Sequence, residues 1–286
     1  MPRALRVATV AMTPDHNPAV SRDRLCQFVR RAKREQPEVR LIHLGETILG
    51  WFNCETRDSS IAYHREIAEA VPGPTTEQVG KLARDLDVYI SLGLTERDGG
   101  KVYNTQILID PNGEVIAKHR KFWLRTSYFE PGERRLSLAK IDGARIAFVI
   151  CADVRSFWLL RAIRRARVDV VLASLADYGT DKWMNCLMGC FFDAWNVIAN
   201  RYGKEPHNNW RGMMTVTDRW GRLRGHSVDC ENILYCEIPL GRSGDLRRLV
   251  RRSAVFVKLL GLTFQFGLRE LHRAIGRRLR RSRAGT

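Results

Sequence analysis

The chain has 286 residues, 44% of them hydrophobic, and a formal net charge of +17. That length and apolar content suit one sizeable globular core and exclude a disordered or fibrous chain. Thirteen Lys or Arg against Asp245 and Glu270 fall in residues 242–286, a net of +11 that leaves +6 for residues 1–241, so the basic character belongs mostly to a tail.

Taken in chain order, the opening Leu5 to Met12 reads as a first strand rather than an export signal. Ser21 is placed to cap a helix whose apolar stripe is Leu25, Phe28, Val29 and Ala32. The run LIHL (41–44) reads as a buried strand, followed by a long aromatic loop, GETILGWFNCETRDSS. A second helix is expected near Ile61 to Ala70, and a third capped by Thr75 with Gln78 three residues on. A strand over 88–94 leads through Asp98, Gly99 and Gly100 to a hairpin turning at Pro111, Asn112 and Gly113. RIAFVI (145–150) is another apolar run, followed by a helix from Phe157 to Ala166 and the strand VDVVLAS. A helix through Asp193, the strand NVIAN, a β pair over 211–224 and a closing strand over 232–238 complete a layered α/β body.

Three of these runs deliver chemistry. LIHL leads to Glu46 one Gly later, EVIAKHR leads to Lys121, and RIAFVI ends on Cys151. A short apolar run stopped by a polar residue reads as a buried strand presenting that residue at a sheet edge, and sites in open α/β sheets gather at strand carboxyl ends. A carboxylate can take a thiol proton, and an ammonium can steady an oxyanion; the Ala152 N–H is a second oxyanion donor. Taken singly, Cys151 also reads as a core thiol, Glu46 as a loop acid and Lys121 as part of a basic patch with Lys118, His119 and Arg120. Arg155 suits either a substrate carboxylate or a salt bridge to Asp153. Trp158, Trp183 and Trp195 suit a pocket lining or the core, and Asn196 and Asn200 are placed to bridge backbone near the pocket.

The stretches HLGETILGW, YNTQILIDPNGEVIAKHRKFWL, YFEPG and RIAFVICADVRSFWLLR come in an order that resembles the nitrilase superfamily of carbon–nitrogen hydrolases. NVIANRYG, WRGMMTVTDRWGRLRG and NILYCEIPL extend the resemblance over roughly residues 5–240. It implies a four-layer α-β-β-α sandwich for residues 1–241, with Glu46 as base, Lys121 as oxyanion stabiliser and Cys151 as nucleophile. It implies hydrolysis of an amide or N-carbamoyl substrate without a cofactor, closer to the amidase and N-carbamoyl hydrolase branch than to true nitrilases, in a homodimer or larger assembly. An acyltransferase with an amine acceptor and an inactive binding or scaffold homologue are the alternatives. The chain departs from the family pattern in Gly45, where Pro is usual, in Ser156, Phe157 and Trp158 after the cysteine, and in Arg125, where many members carry a second pocket carboxylate. Glu130 or Glu133 would replace that acid under a shifted alignment.

Seven cysteines without a Cys-x-x-Cys pair point to reduced thiols and a cytoplasmic setting. Cys186 and Cys190 lack His partners at zinc spacing, so no metal is expected. In the tail, Val257, Leu260, Phe264, Leu268, Leu271, Ile275 and Leu279 recur at helical spacing among arginines. This basic amphipathic helix over 245–283 suits peripheral contact with an anionic membrane or packing on its own body or a partner subunit. It is too short in its apolar run to cross a bilayer, and it lacks the motifs of a nucleic-acid binder.

Overall fold

The structure, a computed structural model, describes residues 3–178 and 182–240. The expected tail domain, 242–286, lies outside the described residues, as does the side chain of Trp183.

The first half of the chain runs β1 (Arg3–Ala11), α1 (Pro18–Glu35), β2 (Leu41–Leu44), α2 (Arg57–Ile67), α3 (Pro74–Asp85), β3 (Tyr89–Asp98), β4 (Lys101–Ile109) and β5 (Val115–Arg120). The second runs β6 (Leu138–Ile141), β7 (Ala144–Ile150), a 3₁₀ turn over Cys151–Arg155, α4 (Phe157–Ala166), β8 (Val170–Leu175), α5 (Lys182–Phe192) and β9 (Trp195–Asn200). A hairpin of β10 (Tyr202–Glu205) and β11 (Asn208–Arg211) precedes β12 (Met214–Thr217), β13 (Leu223–Ser227) and β14 (Asn232–Leu240). Two six-stranded sheets result, in the orders β14-β1-β2-β3-β4-β5 and β13-β12-β9-β8-β7-β6.

Three apolar layers make this the expected four-layer α-β-β-α sandwich. Alternate residues of a strand face opposite sides, and β7 shows the sorting. Its Ile146 and Phe148 join Val7, Leu41, Leu172 and Val197 between the sheets. Its Ala147 and Val149 join Leu159, Ile163 and Phe192 under α4 and α5. The outer face of the first sheet packs Val10, Ile42 and Ile90 against Leu25 and Val29 of α1 and Val79 and Leu82 of α3. Strands buried on both faces read as unbroken apolar runs, which is why LIHL and RIAFVI were legible.

Buried polar contacts join the sheets near the carboxyl ends of the central strands. Thr9 Oγ1 donates to the Ile198 carbonyl at 2.9 Å, and Ser174 Oγ donates to Gln106 Oε1 at 2.6 Å. Burial lowers the His43 pKa to about 4, so its neutral ring donates from Nε2 to the Ala173 carbonyl at 3.2 Å. Each of these bonds has a directional partner on the opposite sheet, so the seam fixes the register of one sheet on the other.

Three helix starts differ from expectation. α2 begins at Arg57, four residues before Ile61, because Thr56 caps it by accepting from the Ser59 N–H. Asn17, not Ser21, caps α1, accepting from the Ala19 N–H at 2.9 Å. Ser21 sits inside the helix and bonds back to Asp15. Gly73, not Thr75, precedes α3, because Pro74 takes the first helical position and Thr76 Oγ1 accepts from the Gly73 N–H at 2.7 Å. The hairpin of β10 and β11 and the edge strand β6 escaped the sequence reading, since these short strands are partly exposed and lack the unbroken apolar run of LIHL.

Candidate active site

β1, β2 and β3 are mutually parallel, as are β7, β8 and β9. β5 is antiparallel to β4, itself antiparallel to β3, so β5 points the same way as β2 and β3. Glu46 follows β2, Lys121 follows β5, Cys151 follows β7 and Ala176 follows β8. Topology alone therefore brings these residues to one edge.

The side chains meet there. Lys121 Nζ donates to Glu46 Oε1 at 2.6 Å, and Asn104 Nδ2 donates to the same oxygen at 2.6 Å. Glu46 Oε2 accepts from the Ala176 N–H at 2.9 Å. The Ala176 backbone also favours the Cys151 thiolate, so the residue after β8 acts on both carboxylate and thiol. Glu46 and Lys121 are buried, whereas Cys151 is partly open to solvent.

Burial is the largest influence on the Cys151 thiol. With the Glu46 charge it pushes the pKa up to about 12, against opposition from Lys121. Burial would also lower the Lys121 pKa, but the charges of Glu46 and Cys151 more than compensate and raise it. The resting site at neutral pH thus holds a thiol and an ammonium, and the sulfur needs a base at the moment of attack.

The backbone bends to present these groups. Cys151 has φ 42° and Thr47, next to Glu46, also has φ 42°; both lie in the left-handed region, costly for a side chain with a Cβ. Gly93 of β3 makes room for the Glu46 turn, since a Cβ there would come within 2.5 Å of the Gly45 carbonyl oxygen and 2.9 Å of the Glu46 Cα.

Two buried charges hold the turns. Asp153 Oδ1 accepts from the Phe122 and Trp123 N–H groups at 3.2 and 2.9 Å. Its Oδ2 accepts from the Ile150 N–H at 3.3 Å and lies 3.1 Å from His119 Nε2. One carboxylate therefore ties the segment after Lys121 to the turn that carries Cys151. Asp153→Asn should keep the Oδ1 contacts and lose acceptor capacity on the other side, displacing Lys121 from Cys151. A fall in kcat of about 10²-fold is expected, with KM nearly unchanged; steady-state kinetics on an amide measures both.

The second is Arg201, just after β9 and fully buried. It donates to the carbonyls of Glu46, Thr47 and Gly50 at 3.1, 2.5 and 2.6 Å and pairs with Glu205. Glu205 in turn accepts from the Phe52 and Asn53 N–H groups at 3.1 and 3.2 Å. The pair pins the whole loop that follows Glu46.

Glu46, Lys121 and Cys151 are brought together, and Ala152 is buried beside the cysteine in its turn. Arg155 is not part of this cluster: it is exposed and lines an outer cleft. Nor does it pair with Asp153, whose oxygens are taken by His119 and backbone amides. Arg125, Glu130 and Glu133 are all exposed, so neither acid replaces the missing carboxylate. Asp177, beyond β8, is instead the additional acid whose charge acts on Cys151. Asn200 grips its backbone, accepting from the Asp177 N–H at 3.1 Å and donating to its carbonyl at 3.0 Å. Trp195 belongs to the inter-sheet core, and Trp158 packs edge-on to Phe122. Asn104, Asp177, Arg201 and Glu205 escaped the sequence reading as site residues. The signal for two of them was a buried strand, YNTQILI, that carries polar residues, and a charge directly after NVIAN. Among the described residues no cluster of three or more His, Cys, Asp or Glu is placed to hold a metal ion, and no helix is long and apolar enough to cross a membrane.

This sandwich, with an acid, an amine and a thiol at the carboxyl edge of its paired sheets, defines a class of enzyme fold. The profile of the carbon-nitrogen hydrolases matches residues 6–248, and the chain belongs to that family, within the nitrilase superfamily. It is similar to the omega-amidase NIT2 of Bos taurus, 24% identical over 247 residues that cover 79% of this chain and 86% of that protein. A nitrilase of Pyrococcus abyssi is 30% identical over 154 residues, 52% of this chain and 56% of that one. Among solved structures, Saccharomyces cerevisiae Nit3 shares the fold with a TM-score of 0.73 and 20% identity, covering 83% of this chain and 90% of its own. A glutamate-to-glutamine mutant of the amidase from Nesterenkonia sp. AN1, with the acetamide moiety of fluoroacetamide added covalently at its active-site cysteine, aligns with a TM-score of 0.71 and 20% identity, covering 85% and 95%.

Proposed function

We propose that this protein is a thiol hydrolase that cleaves a non-peptide C–N bond, an amide or N-carbamoyl bond, through a thioester on Cys151. The observation that carries the reading is the buried contact of Glu46 with Lys121 at 2.6 Å, with the charges of both acting on Cys151. The names of the relatives, omega-amidase and amidase, favour an amide over a nitrile.

Glu46 accepts the Cys151 proton as sulfur attacks the carbonyl carbon. Lys121 and the Ala152 N–H take the developing oxyanion. Collapse of the tetrahedral species breaks the C–N bond, and Glu46 passes its proton to the departing nitrogen, releasing ammonia or an amine. Glu46 then takes a proton from water, whose oxygen attacks the thioester; the acid leaves and sulfur recovers its proton. The high thiol pKa fits a base that acts during attack rather than a thiolate formed beforehand.

Glu46→Gln removes the base from both attack and hydrolysis. With a panel of amides and N-carbamoyl amino acids, the parent quenched in acid during turnover should carry an acyl or carbamoyl adduct on the Cys151 peptide, read by mass spectrometry, and the variant should lose turnover by about 10²–10⁴-fold. Parental turnover by the variant, with no adduct on the parent from any substrate, would overturn the mechanism.

A further inference from the structure

Asn104 of β4 is buried, 1% exposed, and it touches both members of the Glu46–Lys121 pair. Its main-chain carbonyl accepts from the Lys121 N–H at 2.9 Å, and its side-chain Nδ2 donates to Glu46 Oε1 at 2.6 Å. The other end of the amide is different. Asn104 Oδ1 is buried and, among the described residues, has no hydrogen-bond partner. Gln106, two residues on and so on the same face of the strand, is satisfied at both ends. Ser174 donates to its Oε1, and its Nε2 donates to Ser91 Oγ. A buried acceptor left unpaired costs stability. An apolar side chain of the same shape would avoid that cost, so packing does not account for Asn104. Nor can the amide flip to relieve it, because Oδ1 would then face Glu46 Oε1, acceptor against acceptor.

The arrangement also sorts the two carboxylate oxygens of Glu46. Each oxygen offers two lone pairs. Oε1 fills both, with Lys121 Nζ and Asn104 Nδ2 each at 2.6 Å. Among the described residues, Oε2 accepts only from the Ala176 N–H, at 2.9 Å, and keeps a lone pair open. The Ala176 backbone acts on Cys151 as well, which puts Oε2 on the sulfur's side.

We propose, on the thiol hydrolase reading above, that Asn104 is a positioning residue: it holds Glu46 by Oε1, so that Oε2 is the atom that takes the proton from Cys151 and later from water. The transfer breaks S–H and forms Oε2–H, and Asn104 exchanges no proton. As a neutral donor it fixes the carboxylate while withdrawing less charge than a second cation would. When Lys121 turns to the oxyanion, Asn104 keeps Oε1 in place.

The test is steady-state kinetics on the amide of the panel that the parent turns over fastest. In Asn104→Leu, kcat should fall about 10²-fold, with KM within about twofold. Its melting temperature should be no lower than the parent's, since the unpaired oxygen leaves with the amide. Asn104→Asp keeps the shape but turns a second carboxylate toward Oε1, and it should lose at least as much kcat. Because Asn104 acts through Glu46, adding Asn104→Leu to Glu46→Gln should lower the residual rate by less than about twofold. Parental kcat in Asn104→Leu, a rise in KM alone, or losses that multiply in the double variant would each overturn the proposal and leave the hydrolase reading standing. Parental turnover by Glu46→Gln would instead sink that reading and this proposal together.

Discussion

Cys151→Ala is expected to lower kcat by about 10⁴-fold or more, the usual consequence of deleting a covalent nucleophile. The substitution removes one sulfur atom and adds no strain, because Ala tolerates the left-handed φ of 42° no worse than Cys does. The Glu46–Lys121 contact does not pass through the sulfur, so the melting temperature and near-ultraviolet circular dichroism should stay close to the parent's. Binding of an unreacted amide should survive, since the pocket loses little surface. A variant that turns over substrate at the parental rate would show that the thiol takes no covalent part.

Arg201→Met should have the largest effect on stability. It strips the cation from a buried pair and leaves Glu205 desolvated, held only by neutral donors such as the Phe52 and Asn53 N–H groups. Breaking one side of such a pair costs about 3–5 kcal/mol, which for a domain of this size is a fall in melting temperature of about 10 °C. The three carbonyls of Glu46, Thr47 and Gly50 lose their donor at the same time. The loop that carries Glu46 should then relax, with a loss in kcat of about 10²-fold. Arg201→Met/Glu205→Gln removes both charges and should recover part of the stability without recovering the rate. This split separates the energetic role of the pair from its role in placing Glu46. Burial alone would raise the Glu205 pKa, but Arg201 and the backbone amides outweigh it and hold the carboxyl below its ordinary range. The stabilisation is therefore complete above that range and is withdrawn as acid protonates Glu205. The parent should lose stability on acidification more steeply than the double variant, as thermal melts across pH would show.

The parts of the fold legible in the sequence were those with long or unbroken patterns. LIHL, EVIAKHR and RIAFVI ended on Glu46, Lys121 and Cys151, and parallel strands then gathered their ends by topology. What could not be read was the support around them. Arg201 and Glu205 matter because they lie beside a loop some 150 residues earlier, a proximity no local spacing encodes. Asp153 was visible, but its partners are the amides of Phe122 and Trp123, and backbone donors leave no trace in residue identity. Arg155 was misjudged for a related reason. Only Val154 separates it from Asp153 in a 3₁₀ turn, yet Asp153 is buried and Arg155 faces solvent.

The order of strands in the first sheet carries a last consequence. β14 closes the edge beside β1, although 220 residues of chain come between them. A chain still emerging from the ribosome can lay β1 to β5 side by side early, but β1 remains an open edge, liable to wrong pairing, until the strand ending at Leu240 arrives. Maturation is thus gated by one late clasp, and truncations just short of residue 232 should yield insoluble protein rather than a slower enzyme.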